Sequence, residues 1–80
     1  MKATVLVRPK PGILDPQGEA VQRSLQQLGF AVEEARVGRV VDLELDLGDA
    51  DRTRAELERM CEQLLANPLI ESYEISVTSE

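Results

Sequence analysis

Histidine is absent from this 80-residue sequence, and cysteine occurs once, as Cys61. The commonest general base of enzymes is therefore missing. A single cysteine can form no intramolecular disulfide, and without histidine it cannot complete a zinc site of the usual kind. Small domains are commonly stabilised by disulfides, metal ions or oligomerisation, so this composition favours oligomerisation.

Long apolar runs are missing as well, because no stretch approaches the roughly 20 apolar residues that cross a bilayer. Residues 1–8 are too short for the apolar region and cleavage site of a secretion signal. The formal net charge is −6, which argues against a protein whose main task is to neutralise phosphates. We therefore expect one cytoplasmic domain, residues 1–80, that binds neither nucleic acid nor a membrane.

Three segments show the period-two alternation of β-strands. Residues 2–8 place Ala3, Val5 and Val7 on one face, and residues 69–77 alternate in the same way. Residues 30–47 change parity, so they form either a hairpin at residues 37–38 or one long strand bent near Gly38. A long strand would overhang its own sheet and invite pairing with a second copy. In this middle segment Val41, Leu43, Leu45 and Leu47 alternate in one parity, and Phe30 and Val32 alternate in the opposite one. Residues 79–80 are expected to fray.

Two segments repeat apolar residues at helical spacing. The first spans residues 16–28, with Asp15 as its cap and Pro16 at the first helical position. The second spans residues 49–67 and stops before Pro68. Either Asp49 or Asp51 begins it, or Thr53 and Glu56 form a capping box. Its apolar stripe consists of Leu57, Met60, Cys61, Leu64 and Leu65.

The element order β-α-β(-β)-α-β predicts an α+β fold. Two helices that each carry one apolar stripe need one sheet face to cover. We expect a ferredoxin-like two-layer sandwich with both helices on one face of an antiparallel sheet, and an oligomer. The opposite sheet face carries Leu6 among polar residues and is a candidate surface for packing against another subunit.

No group of side chains predicts catalysis. The glycines stand too far apart for a phosphate-binding loop. Cys61 lies on an apolar stripe, which is typical of a buried structural thiol. The carboxylates of residues 33–34 and 42–46 are typical of a solvated surface rather than a metal site. The sequence thus predicts no catalytic residue and no metal ligand.

Two segments are candidates for contacting a partner. Residues 8–16 hold three prolines and a glycine, which predicts a stiff loop. This loop is either a rigid connector or a pre-ordered surface that docks at small entropic cost. Arg36 and Arg39 place two cations around Gly38, either as a surface turn or as a contact for an acidic partner or a phosphate.

Several runs of this sequence resemble the PurS family, the small subunit of phosphoribosylformylglycinamidine synthase. They are residues 7–18, 25–30, 36–39 and 60–75, in the order and spacing of the family, and together they cover nearly the whole chain. The clearest departure is Arg39, where the family commonly has lysine.

The resemblance implies a non-catalytic subunit in purine synthesis. In this family a PurQ-like glutaminase subunit releases ammonia from glutamine. A PurL-like synthetase subunit uses ATP and Mg²⁺ to activate formylglycinamide ribonucleotide, so no cofactor is expected on this chain itself. The small subunit is implied to bridge the two, to assist ammonia transfer, and to form a homodimer or a dimer of dimers. Sealing an interface against water needs no reacting side chain.

The partner-binding residues implied by the resemblance come from two motifs. They are Lys10, Pro11, Gly12, Asp15, Pro16 and Gly18 in the first and Arg36, Gly38 and Arg39 in the second. Two other functions stay open from the residues alone. One is a ferredoxin-like regulatory domain that senses a small ligand between protomers, and the other is an independent enzyme that uses Glu33 or Glu34.

Overall fold

The computed structural model describes residues 1–46 and 48–78, which form three strands and two helices. In chain order these are β1 (Lys2–Pro9), α1 (Pro16–Gln27), β2 (Arg39–Glu44), α2 (Ala50–Met60), a π-helical turn (Cys61–Leu65) and β3 (Glu71–Thr78). The expected position of Leu47 in the middle strand and the expected fraying of residues 79–80 lie outside the described residues.

The sheet is antiparallel with the order β2-β1-β3, so β1 is the central strand. Val5 lies opposite Val41 of β2 and Ile75 of β3. The predicted apolar face of β1 is confirmed, because Ala3, Val5 and Val7 are all buried. Alternate residues of a strand point to opposite faces, so Leu6 lies on the other, open face of the sheet.

Helix α2 covers the apolar face of the sheet. Leu57 and Cys61 are fully buried against the β1 side chains. Asp49 caps the helix, with its side chain accepting a hydrogen bond from the Arg52 N–H at 2.7 Å. Thr53 lies in the first turn, fully buried, and its hydroxyl donates to the Asp49 carbonyl at 2.7 Å. Of the three predicted starts of this helix, Asp49 is therefore the one that forms.

The last helical turn, Cys61–Leu65, is a π turn, in which the Ala66 N–H donates to the Cys61 carbonyl at 3.0 Å. A π turn contains one more residue per hydrogen bond than an α turn. The extra residue moves the side chains that follow to a different side of the helix. Leu64, predicted on the apolar stripe, is 82% exposed as a result.

Helix α1 and the residues that follow it form an arm that projects from the sheet. Residues 30–38 run back beside the helix, where the Gln26 side-chain amide donates to the Val32 carbonyl at 2.8 Å. We call residues 16–38 the α1 arm. Its helix buries only Gly18 and adds no side chain to the core cluster. Within residues 1–46 and 48–78, α1 therefore does not supply the second helical covering of the sheet.

The molecule is elongated as a consequence of the α1 arm. Its principal extents are 50 × 27 × 14 Å and its radius of gyration is 15.9 Å. A compact domain of this length has a radius of gyration of about 12 Å. The single chain therefore leaves apolar surface open that a compact fold would bury.

The middle of the chain forms a shorter strand than either sequence alternative requires. No hairpin forms at residues 37–38, and residues 30–38 pair with no strand in the described part of the chain. The strand pairing ends beside Gly38, where a Cβ atom would lie 2.2 Å from the Val7 carbonyl oxygen. Strand β3 begins at Glu71, so the prediction that Leu69 belongs to it is wrong; Leu69 lies in a turn and is 82% exposed.

The predicted α+β, ferredoxin-like fold class is confirmed, and it takes the form of a three-stranded antiparallel sheet with two helices. None of the helices within residues 1–46 and 48–78 has the length and apolar character that crossing a membrane requires.

Candidate functional site

The residues of the two predicted partner motifs meet at one end of the molecule. There β1 ends, α1 begins and β2 begins, beside the turn that leads into β3. We call this region the junction and define it as residues 8–18, 34–39 and 65–71. The Lys10 N–H donates to the Ile70 carbonyl at 2.8 Å, and the Lys10 carbonyl accepts from Arg36 Nη2 at 3.0 Å. The three sequence segments are thus joined through Lys10.

Asp15 ties the start of α1 to the returning segment of the α1 arm. Its Oδ1 accepts from the Gly18 N–H at 3.0 Å, which is the predicted helix cap. Its Oδ2 accepts from the Val37 N–H at 2.8 Å and lies 3.8 Å from Arg36 Nε. The hydrogen bonds from Val37 and Gly18, and then the charge of Arg36, hold the pKa of Asp15 below its ordinary value. The carboxylate therefore stays ionised and acts as a fixed acceptor.

Gly18 allows α1 to approach that returning segment closely. A Cβ atom at this position would lie 2.4 Å from the Ala35 carbonyl oxygen and 2.4 Å from Asp15 Oδ2. Both neighbours are fixed, one as backbone and the other as the helix cap. A side chain at position 18 would therefore push the arm apart or break the cap.

The proline-rich loop is held against the turn before β3. Lys10 Nζ donates to the Pro68 carbonyl at 2.6 Å, in addition to the backbone bond from Lys10 to Ile70. Pro11 and Gly12 are exposed beyond this anchor, and Pro16 occupies the first position of α1 as predicted. The loop is therefore stiff through its prolines and docked through Lys10.

Arg39 forms hydrogen bonds with two residues of the junction, Glu71 and Leu65. Its Nη1 lies 2.7 Å from Glu71 Oε2 and its Nη2 lies 3.1 Å from Glu71 Oε1. Arg39 Nη2 also donates to the Leu65 carbonyl at the end of the π turn. Glu71 accepts in addition from the Asn67 N–H at 2.7 Å. The hydrogen bond with Glu71 raises the pKa of Arg39, and the hydrogen bonds from Arg39 and Asn67 lower the pKa of Glu71.

Glu71 is the junction residue that the sequence motifs did not single out. It lies within the run of residues 60–75 that resembles the PurS family, which was the one signal available. Its pairing with Arg39 joins residues 32 positions apart. No local periodicity reports a contact over that separation, so this pair becomes visible only in the folded chain.

The junction surrounds a cleft of about 220 Å³. Its lining combines apolar residues of the loop and turn, such as Ile13, Leu14 and Ile70, with the Asp15 and Glu71 carboxylates. A carboxylate whose pKa is lowered is a weak base, so neither is suited to accept a proton at neutral pH. The arrangement suits binding and positioning rather than proton transfer.

The other titratable groups predicted to be structural or solvated lie where that prediction placed them. Cys61 is fully buried, and burial, more than the charges of Glu62 and Glu58, raises the pKa of its thiol. Asp42 lies on the open face of the sheet and accepts from the Thr4 hydroxyl at 2.9 Å. Throughout residues 1–46 and 48–78, no three acidic or cysteine side chains converge in a way that could hold a metal ion.

The chain matches known proteins along nearly its whole length. The family model of PurS, phosphoribosylformylglycinamidine (FGAM) synthase, matches residues 2–79. Phosphoribosylformylglycinamidine synthase subunit PurS of Methanocaldococcus jannaschii is 42% identical over 77 residues, which cover 95% of this chain and 93% of the relative.

The structural comparisons agree. The crystal structure of M. jannaschii PurS, one of the subunits of formylglycinamide ribonucleotide amidotransferase, has a TM-score of 0.87 at 40% identity and covers 99% of this chain and 96% of its own. A chain of the PurLQS structure from Thermotoga maritima has a TM-score of 0.85 at 30% identity and covers 94% of this chain and 93% of its own. The chain therefore belongs to the PurS family of phosphoribosylformylglycinamidine synthase.

Proposed function

We propose that this chain is the non-catalytic small subunit of phosphoribosylformylglycinamidine synthase, acting in purine biosynthesis. It bridges a PurL-like synthetase subunit and a PurQ-like glutaminase subunit and assists the transfer of ammonia between them. Membership of the PurS family over nearly the whole chain carries this proposal. The likeness to a chain of the Thermotoga maritima PurLQS structure supports the choice of partners.

The chemistry of the described side chains supports a subunit that binds rather than reacts. The thiol is buried and its pKa is raised, which makes it a poor nucleophile. Asp15 and Glu71 are both engaged in hydrogen bonds and ion pairs. In this assignment ATP and Mg²⁺ belong to the synthetase subunit. The one free thiol is compatible with a reducing compartment, so we infer a cytoplasmic location.

The α1 arm supports self-assembly into a homodimer or a dimer of dimers. Along it, Val21 is 43% exposed, Leu28 is 73% exposed and Phe30 is 59% exposed. Fully burying a side chain of this kind contributes about 1.5–3 kcal/mol. Small domains have a total stability of about 5–15 kcal/mol. Covering this face with a second copy therefore adds a substantial fraction to the free energy of unfolding. Residues 30–38 pair with no strand within the described part of the chain, so the backbone groups there that make no bond within the chain are available to the same partner.

We further propose that the junction presents the proline-rich loop to the larger subunits. Lys10, Asp15, Arg36 and Arg39 are engaged within the chain, and in this proposal they hold the contact surface in place. The surface so held includes Leu14 and Leu69, which are 71% and 82% exposed. A pre-ordered loop loses little entropy when it docks. Pro11 and Gly12 lie on the exposed part of the same loop.

The assignment is tested by turnover of the reconstituted synthetase and glutaminase subunits with and without this chain. Ammonia released by the glutaminase must reach the synthetase without protonation or escape, whereas added ammonium salt supplies the synthetase directly. We expect omission of the chain to abolish most glutamine-driven turnover and to change ammonium-driven turnover much less. Equal glutamine-driven rates with and without the chain would refute the role.

A further inference from the structure

We propose that a groove at the diverging ends of β1 and β2 binds an acidic segment of one of the larger partner subunits. This inference rests on the proposed function and adds to it the place and chemistry of one contact. The groove has a volume of about 550 Å³. Its lining consists of Leu6, Val7, Arg8, Pro9, Arg36, Gly38, Arg39 and Val40, and we call it the arginine groove.

The groove exists because β2 stops pairing before β1 ends. The register of the two strands reaches Val7 opposite Arg39, while β1 continues to Pro9 along β3. Gly38, the last residue of the α1 arm, lies close to the Val7 carbonyl and precedes the first residue of β2. Arg8 and Pro9 therefore have no β2 residue beside them, and a notch remains between the strand and the arm.

The charge of Arg8 is not balanced by the protein around it. Within residues 1–46 and 48–78, the Arg8 side chain makes no hydrogen bond or ion pair, and the residue is exposed. Arg39 is paired with Glu71. Arg36 Nε lies 3.8 Å from Asp15 Oδ2, and Arg36 Nη1 lies 4.0 Å from Glu34 Oε1. The other carboxylate on this part of the open face is Glu74, opposite Leu6. An exposed arginine without a carboxylate partner makes this part of the surface locally positive, although the net charge of the chain is −6.

The floor of the groove is apolar. Val40 is 59% exposed and lies opposite Leu6, which is half-buried. A free phosphate is bound by cations and needs no apolar floor, whereas a protein segment brings both carboxylates and apolar side chains. Arginine forms bidentate pairs with carboxylates and is enriched in protein interfaces. Apolar contact beside an unpaired guanidinium therefore fits an acidic segment of a protein.

The test compares two charge reversals that change the net charge equally. Arg8→Glu alters the groove, and Arg52→Glu is the matched control. Arg52 is exposed in the first turn of α2, where a carboxylate is favourable to the helix. Binding of each variant to the purified synthetase and glutaminase subunits is measured by calorimetry at several salt concentrations. Thermal unfolding confirms that both variants fold.

We expect Arg8→Glu to weaken binding to one of the larger subunits about tenfold and to reduce its salt dependence. Arg52→Glu should change the affinity less than about threefold. Val40→Glu, which alters the apolar floor without removing an arginine, should weaken the same interaction. Equal affinities for Arg8→Glu and Arg52→Glu would overturn the groove proposal while leaving the proposed function intact, whereas failure of the unmodified chain to bind would contradict both.

Two other outcomes would also overturn the proposal. If Arg8→Glu lowers the mass of the isolated chain in light scattering and leaves subunit binding unchanged, the groove is filled by a second copy. If the isolated chain binds inorganic phosphate, and Arg8→Glu abolishes only that binding, the groove is a site for a small anion.

Discussion

Arg39 and Glu71 form a two-point ion pair that joins the start of β2 to the start of β3, with N–O distances of 2.7 and 3.1 Å. The same guanidinium donates to the Leu65 carbonyl, so one side chain also satisfies the end of the π turn. A guanidinium presents two parallel N–H groups to a carboxylate, and an ammonium group does not. Arg39 thus makes contacts that a lysine at this position could not reproduce.

Replacing Arg39 should destabilise the chain more than replacing an arginine in an ordinary surface pair. Arg39 is about half exposed, so solvent screens the pair and Arg39→Ala should cost about 1 kcal/mol. Arg39→Lys should fall between the alanine variant and the unmodified chain. The control is Arg59→Ala, which removes an exposed pair to Glu56 at 3.4 Å and should cost less than about 0.5 kcal/mol. Urea unfolding measures all three, and equal costs for Arg39→Ala and Arg59→Ala would contradict the structural role.

Gly38→Ala tests the close passage of the chain beside β1. The added Cβ would lie 2.2 Å from the Val7 carbonyl oxygen, and neither backbone can yield without disturbing the β1–β2 register. We expect a loss of about 2 kcal/mol or more. Gly12→Ala is the control, because Gly12 has a φ of +83° but open space around it. That variant should cost about 1 kcal/mol, from backbone conformation alone. If both substitutions cost the same, the close approach is not a constraint.

Acidification should weaken the junction before it affects the core. The folded-state pKa values of Asp15 and Glu71 are both lowered. The contribution of these two carboxylates to the free energy of unfolding is therefore fully present above the ordinary carboxyl pKa of about 4. It is lost as the pH falls from that value through the folded-state pKa. The unfolding free energy should keep the full contribution of these groups, unchanged, between about pH 5 and 7 and should decline below about pH 4. Asp15→Asn and Glu71→Gln should each make that decline shallower, and an unchanged acid profile in both would contradict the assignment.

The apolar face of the α1 arm should drive self-association. We expect light scattering to give at least a dimer at micromolar concentration. Leu28→Glu, which places a charge on that face, should shift the population toward the monomer. Leu64→Glu is the control, since Leu64 is at least as exposed as Leu28 but lies on the π turn, outside the α1 arm. A stable monomer of the unmodified chain would contradict the proposed assembly.

Local features of the fold were predictable because local chemistry determines them. The alternation of β1, the Asp15 cap with Pro16, and the stripe around Leu57 each follow from the residues that carry them. The π turn was not predictable from the apolar spacing, which Leu64 matches although it is exposed. Leu69 likewise continues the alternation of β3 but lies in the turn before it.

Several residues of the junction were predictable from the sequence, but the contacts between them were not. The motifs indicated Lys10, Asp15, Arg36 and Arg39. They did not indicate that these residues form hydrogen bonds and ion pairs between separate segments of the chain. Such contacts join positions far apart in the chain, as in the bond from the Val37 N–H to Asp15 across 22 residues. The need for glycine at position 38 arises from the Val7 carbonyl, which no spacing rule reveals.

Sedimentation velocity of the three purified subunits, with this chain fluorescently labelled, measures directly whether the chain assembles with both larger subunits. With ATP, Mg²⁺ and glutamine present, we expect the labelled chain to sediment together with the synthetase and the glutaminase as one larger species. A labelled chain that sediments at the same rate whether or not the two larger subunits are present would refute its role as their small subunit.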